Sequence, residues 1–303
     1  MKRRYFLEKI TSSTIFGLSI PFLSFDNINF HSKKITILHT NDVHSHIDPF
    51  PPNDPLNPNG GGVIARAKII NKFRKENPNT LMFDAGDIFQ GTPYFNFFGG
   101  EIELKLMSKL GYNASTLGNH EFDNGIKKLS ESLKHANFSF INSNYNLKNT
   151  PLENKVKKYE IYNIDEIKVG VFGLGIALNG LVEKNLYNGL EYLDPIEITN
   201  DITYELKKDH KCDIVICLSH LGFKYDQRKE EMCDLILAKK TKNIDLIIGG
   251  HTHTFMKKPV EVTNLVGEKV LINQVGCFGI NIGKIDFYLS NENISRKTDS
   301  IKV

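Results

Sequence analysis

The chain has 303 residues, of which 40% are hydrophobic and 24% charged, a composition typical of a globular protein with a large core. The formal net charge is +3, and residues 1–23 account for all of it, because Lys2, Arg3, Arg4 and Lys9 stand against Glu8 alone. The remainder is neutral overall, which argues against a nucleic-acid polymer as a partner. Four cysteines are too few for a disulfide scaffold at this length, so buried thiols are predicted.

The first 29 residues have the build of a bacterial export signal. Paired arginines at positions 3 and 4 precede an apolar stretch over residues 10–25 that Ser and Thr interrupt. This pattern predicts export to the bacterial periplasm by a twin-arginine-like route, with the segment either removed or kept as a membrane anchor. The alternative is an ordinary basic amino terminus on a cytosolic protein. Residues 30–303 contain no linker-like segment and are predicted to form a single domain.

Beyond residue 30, short β-rich runs alternate with segments of helical spacing. Residues 156–172 predict a hairpin, and residues 258–287 predict three successive strands. This mixture of crossovers and antiparallel hairpins predicts an α/β fold of mixed (α+β) type, a four-layer αββα sandwich of two mixed sheets flanked by helices. The other predicted strands are 35–39, 80–84, 114–117, 138–142, 214–218 and 244–248, and the predicted helices are 62–75, 101–110, 126–136, 195–208 and 227–239.

Metal-binding side chains directly follow five of the predicted strands. Parallel strands share a carboxyl edge, so the loops that follow them meet at one mouth, where open α/β sheets bind ligands. Glycines adjoin these positions and permit sharp turns and close backbone approach. The candidate ligands, in chain order, are Asp42, His44, Asp87, Asn119, His220, His251 and His253.

The residue types of this set indicate two divalent metal ions. Carboxylate, imidazole and amide ligands without thiolate suit Zn²⁺, Mn²⁺, Fe or Co. A carboxylate can bridge two ions about 3.5–4 Å apart, the separation used in two-metal hydrolysis. Two such ions carry a charge of +4, and Asp42 and Asp87 neutralise half of it. The remaining positive charge favours a hydroxide and an anionic phosphate, so the set predicts phosphoester hydrolysis.

Four local sequences resemble the calcineurin-like metallophosphoesterases, and within them the catalytic, amino-terminal domain of the 5′-nucleotidase family. They are residues 39–45 (HTNDVHS), 86–93 (GDIFQGTP), 118–125 (GNHEFDNG) and 249–253 (GGHTH). The resemblance extends from about residue 35 to residue 290.

The resemblance implies a role for each candidate residue. Asp42, His44, Asp87 and His253 would hold one metal, and Asp87, Asn119, His220 and His251 would hold the other, with Asp87 as the bridge. His120 would stabilise the transition state or protonate the leaving oxygen, and Asp123 would fix its tautomer. Asn119 and His120 would also bind the substrate, while a metal-bound hydroxide attacks phosphorus.

Neighbouring residues receive simpler predictions. His46 is left out of the ligand set because the family pattern uses only the first histidine of His44-Ser-His46. Asp84 and Glu121 are predicted to support the site through hydrogen bonds. Arg66 is predicted to lie on a helix face, and the aromatic side chains between Tyr94 and Phe98 are predicted to pack in the core.

The resemblance also bears on substrate and partners. Full-length relatives carry a carboxy-terminal domain that stacks the nucleobase, and this chain, ending at Val303, is expected to lack it. A separate protein would then supply that domain, or the enzyme would be less selective. The leading prediction is release of phosphate from nucleoside 5′-monophosphates. The alternatives are 2′,3′-cyclic nucleotides, nucleotide sugars, a broad range of organic phosphates and a sulfur–sulfonate ester.

A different class of function is also open at this point. The chain could be a non-catalytic subunit that keeps metals for structure and assembles with a separate substrate-binding protein. The His120–Asp123 pair favours the enzyme, since a purely structural metal site does not need it.

Overall fold

The structure is a computed structural model that describes residues 33–290 and 294–303. The predicted export segment, residues 1–29, lies outside the described residues. Within the described ranges, no helix combines the length and the apolar character needed to cross a bilayer.

Fifteen strands are present in the described residues. Two short ones, β5 and β9, pair with each other, and the other thirteen form two mixed sheets. The strands are β1 Lys33–Thr40, β2 Thr80–Asp84, β3 Ala114–Ser115, β4 Ser139–Ile141, β5 Tyr145–Asn146, β6 Val156–Lys157, β7 Tyr159–Ile164, β8 Ile167–Leu174, β9 Glu191–Tyr192, β10 Ile214–Ser219, β11 Leu246–Gly249, β12 Val260–Thr263, β13 Lys269–Asn273, β14 Asn281–Leu289 and β15 Ile294–Lys302.

The helices lie mostly where the periodicity predicts them. One ends at a left-handed glycine, Gly111, and another begins at Asp194, whose carboxylate caps two backbone N–H groups. The α-helices are α1 Val63–Glu76, α2 Pro93–Phe98, α3 Glu101–Leu110, α4 Ile126–Ser132, α5 Pro195–Tyr204 and α6 Asp234–Lys240. Single turns of 3₁₀-helix occur at His120–Phe122, Leu133–His135 and Lys184–Tyr187, and α5 continues as a π-helical turn over Glu205–Asp209.

The two sheets have the same organisation of parallel strands at the centre. The first has the order β15-β14-β1-β2-β3-β4-β6, in which β1 to β4 and β6 run parallel and β14 and β15 are antiparallel additions. The second has the order β12-β13-β11-β10-β8-β7, with β8, β10, β11 and β13 parallel. Each sheet therefore presents carboxyl ends of several strands at one edge.

Side-chain alternation along the strands places the sheets face to face. Ile35 and Ile37 of β1 belong to a buried cluster that also contains Ile216 and Leu218 of β10. Leu38, on the opposite face of β1, packs in the cluster formed with the helices of the first half of the chain. A third cluster joins β10 and β13 to α5 and α6. The predicted αββα sandwich of two mixed sheets is confirmed.

Two local predictions are wrong, and one strand was not predicted. The helix predicted over 227–239 begins only at Asp234, because residues 227–231 (QRKEE) offer no apolar side chain to bury. Residues 93–98 form the short helix α2 with only Phe95 buried, so Phe97 and Phe98, 82% and 50% exposed, are not core residues. The final strand β15, which pairs along the whole of β14, is polar and escaped prediction.

Candidate metal centre

The seven candidate ligands lie in five loops that leave the carboxyl ends of strands in both sheets. Strands β1, β2 and β3 of the first sheet precede Asp42, Asp87 and Asn119, while β10 and β11 of the second precede His220 and His251. Five of these side chains are buried, whereas His251 and His253 are partly exposed, and the side chain of His253 is 38% exposed. The site therefore lies across the junction of the two sheets.

One group of side chains is centred on Asp42. The Nε2 atom of His253 lies 3.4 Å from Asp42 Oδ1 and 2.9 Å from Nε2 of His44. These three side chains present atoms close enough to share one ion. His44 uses Nδ1 to contact the carbonyl oxygen of Phe89 at 3.2 Å, which leaves Nε2 directed at the group.

A second group is centred on Asp87. Its Oδ2 atom lies 3.0 Å from Nε2 of His220 and 4.0 Å from Nε2 of His44, so Asp87 stands between the two groups. His220 donates from Nδ1 to the carbonyl oxygen of Ala85 at 2.7 Å. Nδ1 of His251 lies 2.9 Å from Oδ1 of Asn119, and Asp87, His220 and His251 could hold an ion together.

The backbone at these positions is conformationally unusual. Non-glycine residues seldom adopt left-handed φ angles, and each such residue costs on the order of 1–3 kcal/mol unless its surroundings enforce it. Five of the seven candidate ligands adopt them. These are Asp42 (φ 50°), His44 (49°), Asp87 (54°), His251 (70°) and His253 (48°).

Two glycines allow the loops to approach so closely. A Cβ atom on Gly118 would lie 2.2 Å from Oδ1 of Asp87, and one on Gly86 would lie 2.6 Å from the backbone nitrogen of Gly118. Any larger residue at either position would push the loops after β2 and β3 apart.

Glu121 ties those two loops together. Its buried carboxylate accepts hydrogen bonds from the backbone N–H groups of Asp87 and Ile88 at 2.9 and 2.8 Å, and from that of Gly118 at 2.6 Å. The Asp87 loop is thus fixed to the loop that carries Asn119. The supporting contacts predicted for Glu121 are present.

Two buried amides that the sequence analysis did not single out hold the loops after β1 and β11. Asn41 donates from Nδ2 to Oδ2 of Asp42 and to the carbonyl oxygen of Gly276, each at 2.6 Å. Gln274 accepts at Oε1 from the Thr252 hydroxyl at 3.0 Å and also bonds to Gly250 and Thr254. In the sequence, Asn41 stands beside Asp42 in the motif of residues 39–45, and Gln274 stands just before a turn that contains Gly276 and Gly279.

The electrostatics of the site favour cations. Burial opposes charge on His220, but the nearby Asp87 carboxylate raises its pKa to about 10. Burial likewise opposes ionisation of Asp87, while the charge and hydrogen bond of His220 hold its pKa below the usual value. The hydrogen bond to Asp42 raises the pKa of His253 to about 10. Carboxylates that keep protons on neighbouring imidazoles would also attract metal ions, which displace those protons.

The residues fit two divalent ions on chemical grounds. Oxygen and nitrogen donors converge without any thiolate, and the cysteines of the described residues are buried and free. Nε2 of His220 is fully buried without a well-aligned hydrogen bond, although it faces Asp87. The Nε2 atoms of His44 and His253 face each other at 2.9 Å, where only one of them can donate a proton to the other. One cation in each group would give these nitrogen atoms a partner.

His120 lies beside the ligands at the more open edge of the site. Its ring is 5.2 Å from that of His44, and its Nδ1 atom donates to Oδ2 of Asp123 at 2.7 Å. This hydrogen bond raises the pKa of His120 and leaves Nε2 free. The backbone N–H of His120 donates to Oδ1 of Asp87 at 2.9 Å, which couples its position to the centre of the site.

Fold and site together are those of the calcineurin-like phosphoesterase class. A family model described as calcineurin-like phosphoesterase matches residues 35–255, and the chain belongs to that family. The resemblance read from the four local sequences and the predicted class of enzyme, a phosphoester hydrolase, are confirmed.

Relatives extend the family match. The chain is 34% identical over 276 residues to the snake venom 5′-nucleotidase of Crotalus adamanteus, which covers 84% of this chain and 45% of that protein. The structure of the 5′-nucleotidase precursor from Thermus thermophilus matches with a TM-score of 0.80 and 29% identity, over 89% of this chain and 55% of that one. The calcineurin-like phosphoesterase YfkN from Bacillus subtilis matches with a TM-score of 0.68 and 27% identity, over 90% of both chains. The chain spans about half the length of the 5′-nucleotidases that it matches.

Arg66 and His46 lie close to the candidate ligands. Arg66 lies in α1 as predicted, but on the buried face of that helix, where it is only 4% exposed and donates to the carbonyl oxygen of His46 at 3.0 Å. His46 directs Nδ1 at the carbonyl oxygen of His44 and stacks on aromatic rings, and its side chain is absent from the ligand clusters of the described residues.

Proposed function

We propose that this protein is a dinuclear metal-dependent phosphoesterase that releases phosphate from nucleoside 5′-monophosphates. The observation that carries the proposal is the convergence of seven donor side chains from two sheets, with the Asp87 carboxylate between the two groups and His120 beside them. When bound, two divalent ions would polarise the phosphate and supply the nucleophile. Zn²⁺, Mn²⁺, Fe and Co suit the donors equally.

The roles of the individual residues follow from their positions. Asp42, His44, Asp87 and His253 would hold one ion, and Asp87, Asn119, His220 and His251 the other. This proposal is supported by the short contacts within each group and by the buried Nε2 atom of His220.

His120 and Asp123 would handle the leaving group. The side chain of His120 is 33% exposed, so its Nε2 atom can reach a substrate at the mouth while Nδ1 stays bonded to Asp123. The hydrogen bond to Asp123 raises the pKa of His120, which favours the protonated imidazole that a general acid needs for donation to the departing oxygen. Asn119, next in the chain, would help to bind the phosphate.

The substrate class is supported by the relatives. Two that match this chain over 84% of its length are described as 5′-nucleotidases. A separate protein carrying a nucleotidase domain is proposed as a partner. We also propose that residues 1–29 direct export to the periplasm or anchor the protein, and that residues 30–303 fold as one domain; the arginine pair and the shared core of the two sheets support this.

A substrate panel tests the function. Protein loaded with Mn²⁺ or Zn²⁺ is incubated with adenosine 5′-monophosphate, a 2′,3′-cyclic nucleotide, a nucleotide sugar and an aryl phosphate, each with and without chelator, and free phosphate is measured. We expect fastest release from the 5′-monophosphate and none with chelator. Failure to release phosphate from any of these compounds would contradict the proposal, and a preference for another member would reassign the substrate.

A further inference from the structure

Beside the candidate metal centre lies a stack of three aromatic rings to which the proposed mechanism assigns no role. Phe278 lies 4.3 Å from His46 between ring centroids, and His46 lies 5.2 Å from Phe50 with the planes nearly parallel. All three side chains are partly exposed. We refer to His46, Phe50 and Phe278 as the aromatic stack.

The stack reaches directly to the proposed ligands. The ring centroid of Phe278 is 6.0 Å from that of His44 and 6.0 Å from that of His253. A planar group joined to phosphate by a short linker would therefore meet Phe278 while its phosphate occupied the metal centre. Aromatic rings favour offset or edge-on contact with other planar groups at such centroid separations.

Phe278 is held in place by an unusual backbone. It has φ 62°, and the glycines on either side, Gly276 and Gly279, also have positive φ angles of 82° and 61°. The left-handed conformation is strained for a bulky side chain. The backbone N–H of Phe278 donates to the carbonyl oxygen of Asp42 at 2.7 Å, so the turn that presents this ring is bonded to a proposed ligand.

The Arg66 side chain holds the two loops that carry the aromatic stack. This buried guanidinium donates to the carbonyl oxygens of His46 and Gly279 at 3.0 and 3.5 Å, and so joins the two loops that carry His46 and Phe278. A Cβ atom on Gly279 would lie 2.0 Å from the Arg66 guanidinium. Phe278 thus has a left-handed backbone next to a turn that Arg66 holds, and its ring centroid lies 6.0 Å from those of His44 and His253.

From these contacts we propose that Phe278, supported by His46 and Phe50, is a specificity-determining residue that binds the planar leaving group of the substrate. The inference rests on the proposed function and adds a subsite of this chain to it. The class of substrate that it selects is a phosphoester whose alcohol carries an aromatic ring or a nucleobase.

The test separates stacking from ordinary packing. Wild type, Phe278→Leu and Phe278→Tyr are compared, with Phe97→Ala, an 82% exposed ring outside the stack, as the control. The substrates are adenosine 5′-monophosphate, 1-naphthyl phosphate and glycerol 2-phosphate, which lacks a planar group. Leucine keeps the apolar volume but removes the ring face, whereas tyrosine keeps both.

We expect Phe278→Leu to raise KM for the two planar substrates by roughly tenfold with little change in kcat, because stacking on one aromatic side chain is worth about 1–3 kcal/mol. KM for glycerol 2-phosphate should stay within about twofold, and Phe278→Tyr and Phe97→Ala should behave as wild type. An equal change for all three substrates, or none for the planar ones, would overturn the proposal.

A binding measurement keeps this test independent of turnover. Affinity for (1-naphthyl)methylphosphonate, a probe whose P–C bond is not hydrolysed, is measured by calorimetry on metal-loaded protein, in wild type and in Phe278→Leu, alongside the thermal unfolding midpoint of each. We expect about tenfold weaker binding at an unchanged midpoint. If wild type binds the probe but releases no phosphate from any substrate, the proposed function fails and the subsite stands. If affinity is the same in both proteins, the subsite fails alone.

Discussion

Single residues of the candidate centre are held in conformations that the isolated chain would avoid. The loops compensate with hydrogen bonds: Asp42 accepts from Asn41, and Asp87 accepts from the backbone of His120. These hydrogen bonds hold the side chains of two proposed ligands in position, as a functional site requires.

His120 is the residue that distinguishes most sharply between an enzyme and a non-catalytic subunit that keeps metals for structure. We expect His120→Asn to bind the same number of metal ions as wild type but to turn over substrate about a hundredfold more slowly or worse, because a general acid is lost. Metal content by elemental analysis and kcat on a nucleotide check this. Unchanged turnover would contradict the role of His120, and a matched substitution of the remote His135 should leave kcat unaltered.

Residue types were readable from the sequence, whereas residue conformations were not. The candidate ligands could be picked out because each directly follows a strand whose apolar run is plain in the sequence; their role as metal ligands stays a prediction. The burial of Arg66 could not be predicted, because it depends on two loops, at His46 and Gly279, that are more than 200 residues apart in the chain. The roles of Asn41 and Gln274 likewise depend on contacts between distant segments.

At the scale of elements, the connection between the loops after β2 and β3 depends on one carboxylate. Glu121→Gln replaces one of two carboxylate oxygens that accept backbone N–H groups with an NH2 group, which cannot accept them. We expect metal affinity to fall by about 10–100-fold, as is usual when partners of ligating loops are lost. Competition with a chelating dye measures this, and Glu131→Gln on the exposed face of α4 is the control. Equal affinities for all three proteins would refute the role.

Strands β1 and β14 carry a buried charge network away from the centre. Asp286 accepts from Lys284 at 2.5 Å and from Thr36 at 2.7 Å, and Lys34 lies 3.2 Å away. Burial works against ionisation of Asp286, but these partners hold its pKa below the ordinary value of 3.8. Its carboxylate therefore stabilises the fold above the unfolded-state pKa, and the effect is lost as the pH falls through the folded-state pKa.

We expect Asp286→Asn to lower the free energy of unfolding by about 3 kcal/mol at pH 7, since Lys284 stays buried without its partner. The difference from wild type should persist at pH 5 and shrink below about pH 4. Urea unfolding at these pH values measures it, with Asp299→Asn, a 54% exposed carboxylate, as the control. A difference that grew as the pH fell would contradict the assignment.

Elements were predictable where one periodicity dominated. Strand β2 and helix α3 match their predicted bounds because their apolar patterns are unbroken. The start of α6 was misplaced because charge, not hydrophobicity, fills the window before it, and β15 was missed because it covers a sheet edge with polar side chains. Both elements are set by contacts with other segments, since α6 packs in a cluster with β10 and β13 and β15 pairs with β14.

For the whole molecule, the proposed metals would join the two sheets. Asp42, Asp87 and Asn119 follow strands of the first sheet, and His220 and His251 follow strands of the second. Ions bound only to the folded state stabilise it by about 2.7 kcal/mol when present at a hundredfold excess over Kd. We expect chelation to lower the thermal unfolding midpoint by roughly 5–10 °C and added metal to restore it. A midpoint indifferent to chelator would contradict a site across the two sheets.

We expect two ions to share Asp87, and counting the metal ions bound per chain tests this most directly. Elemental analysis of protein equilibrated with Mn²⁺ or Zn²⁺ should give two ions for wild type. His253→Ala should retain about one, and Asp87→Ala, which removes the carboxylate between the two groups, should lose both. One ion or none in wild type, or two in Asp87→Ala, would contradict the account.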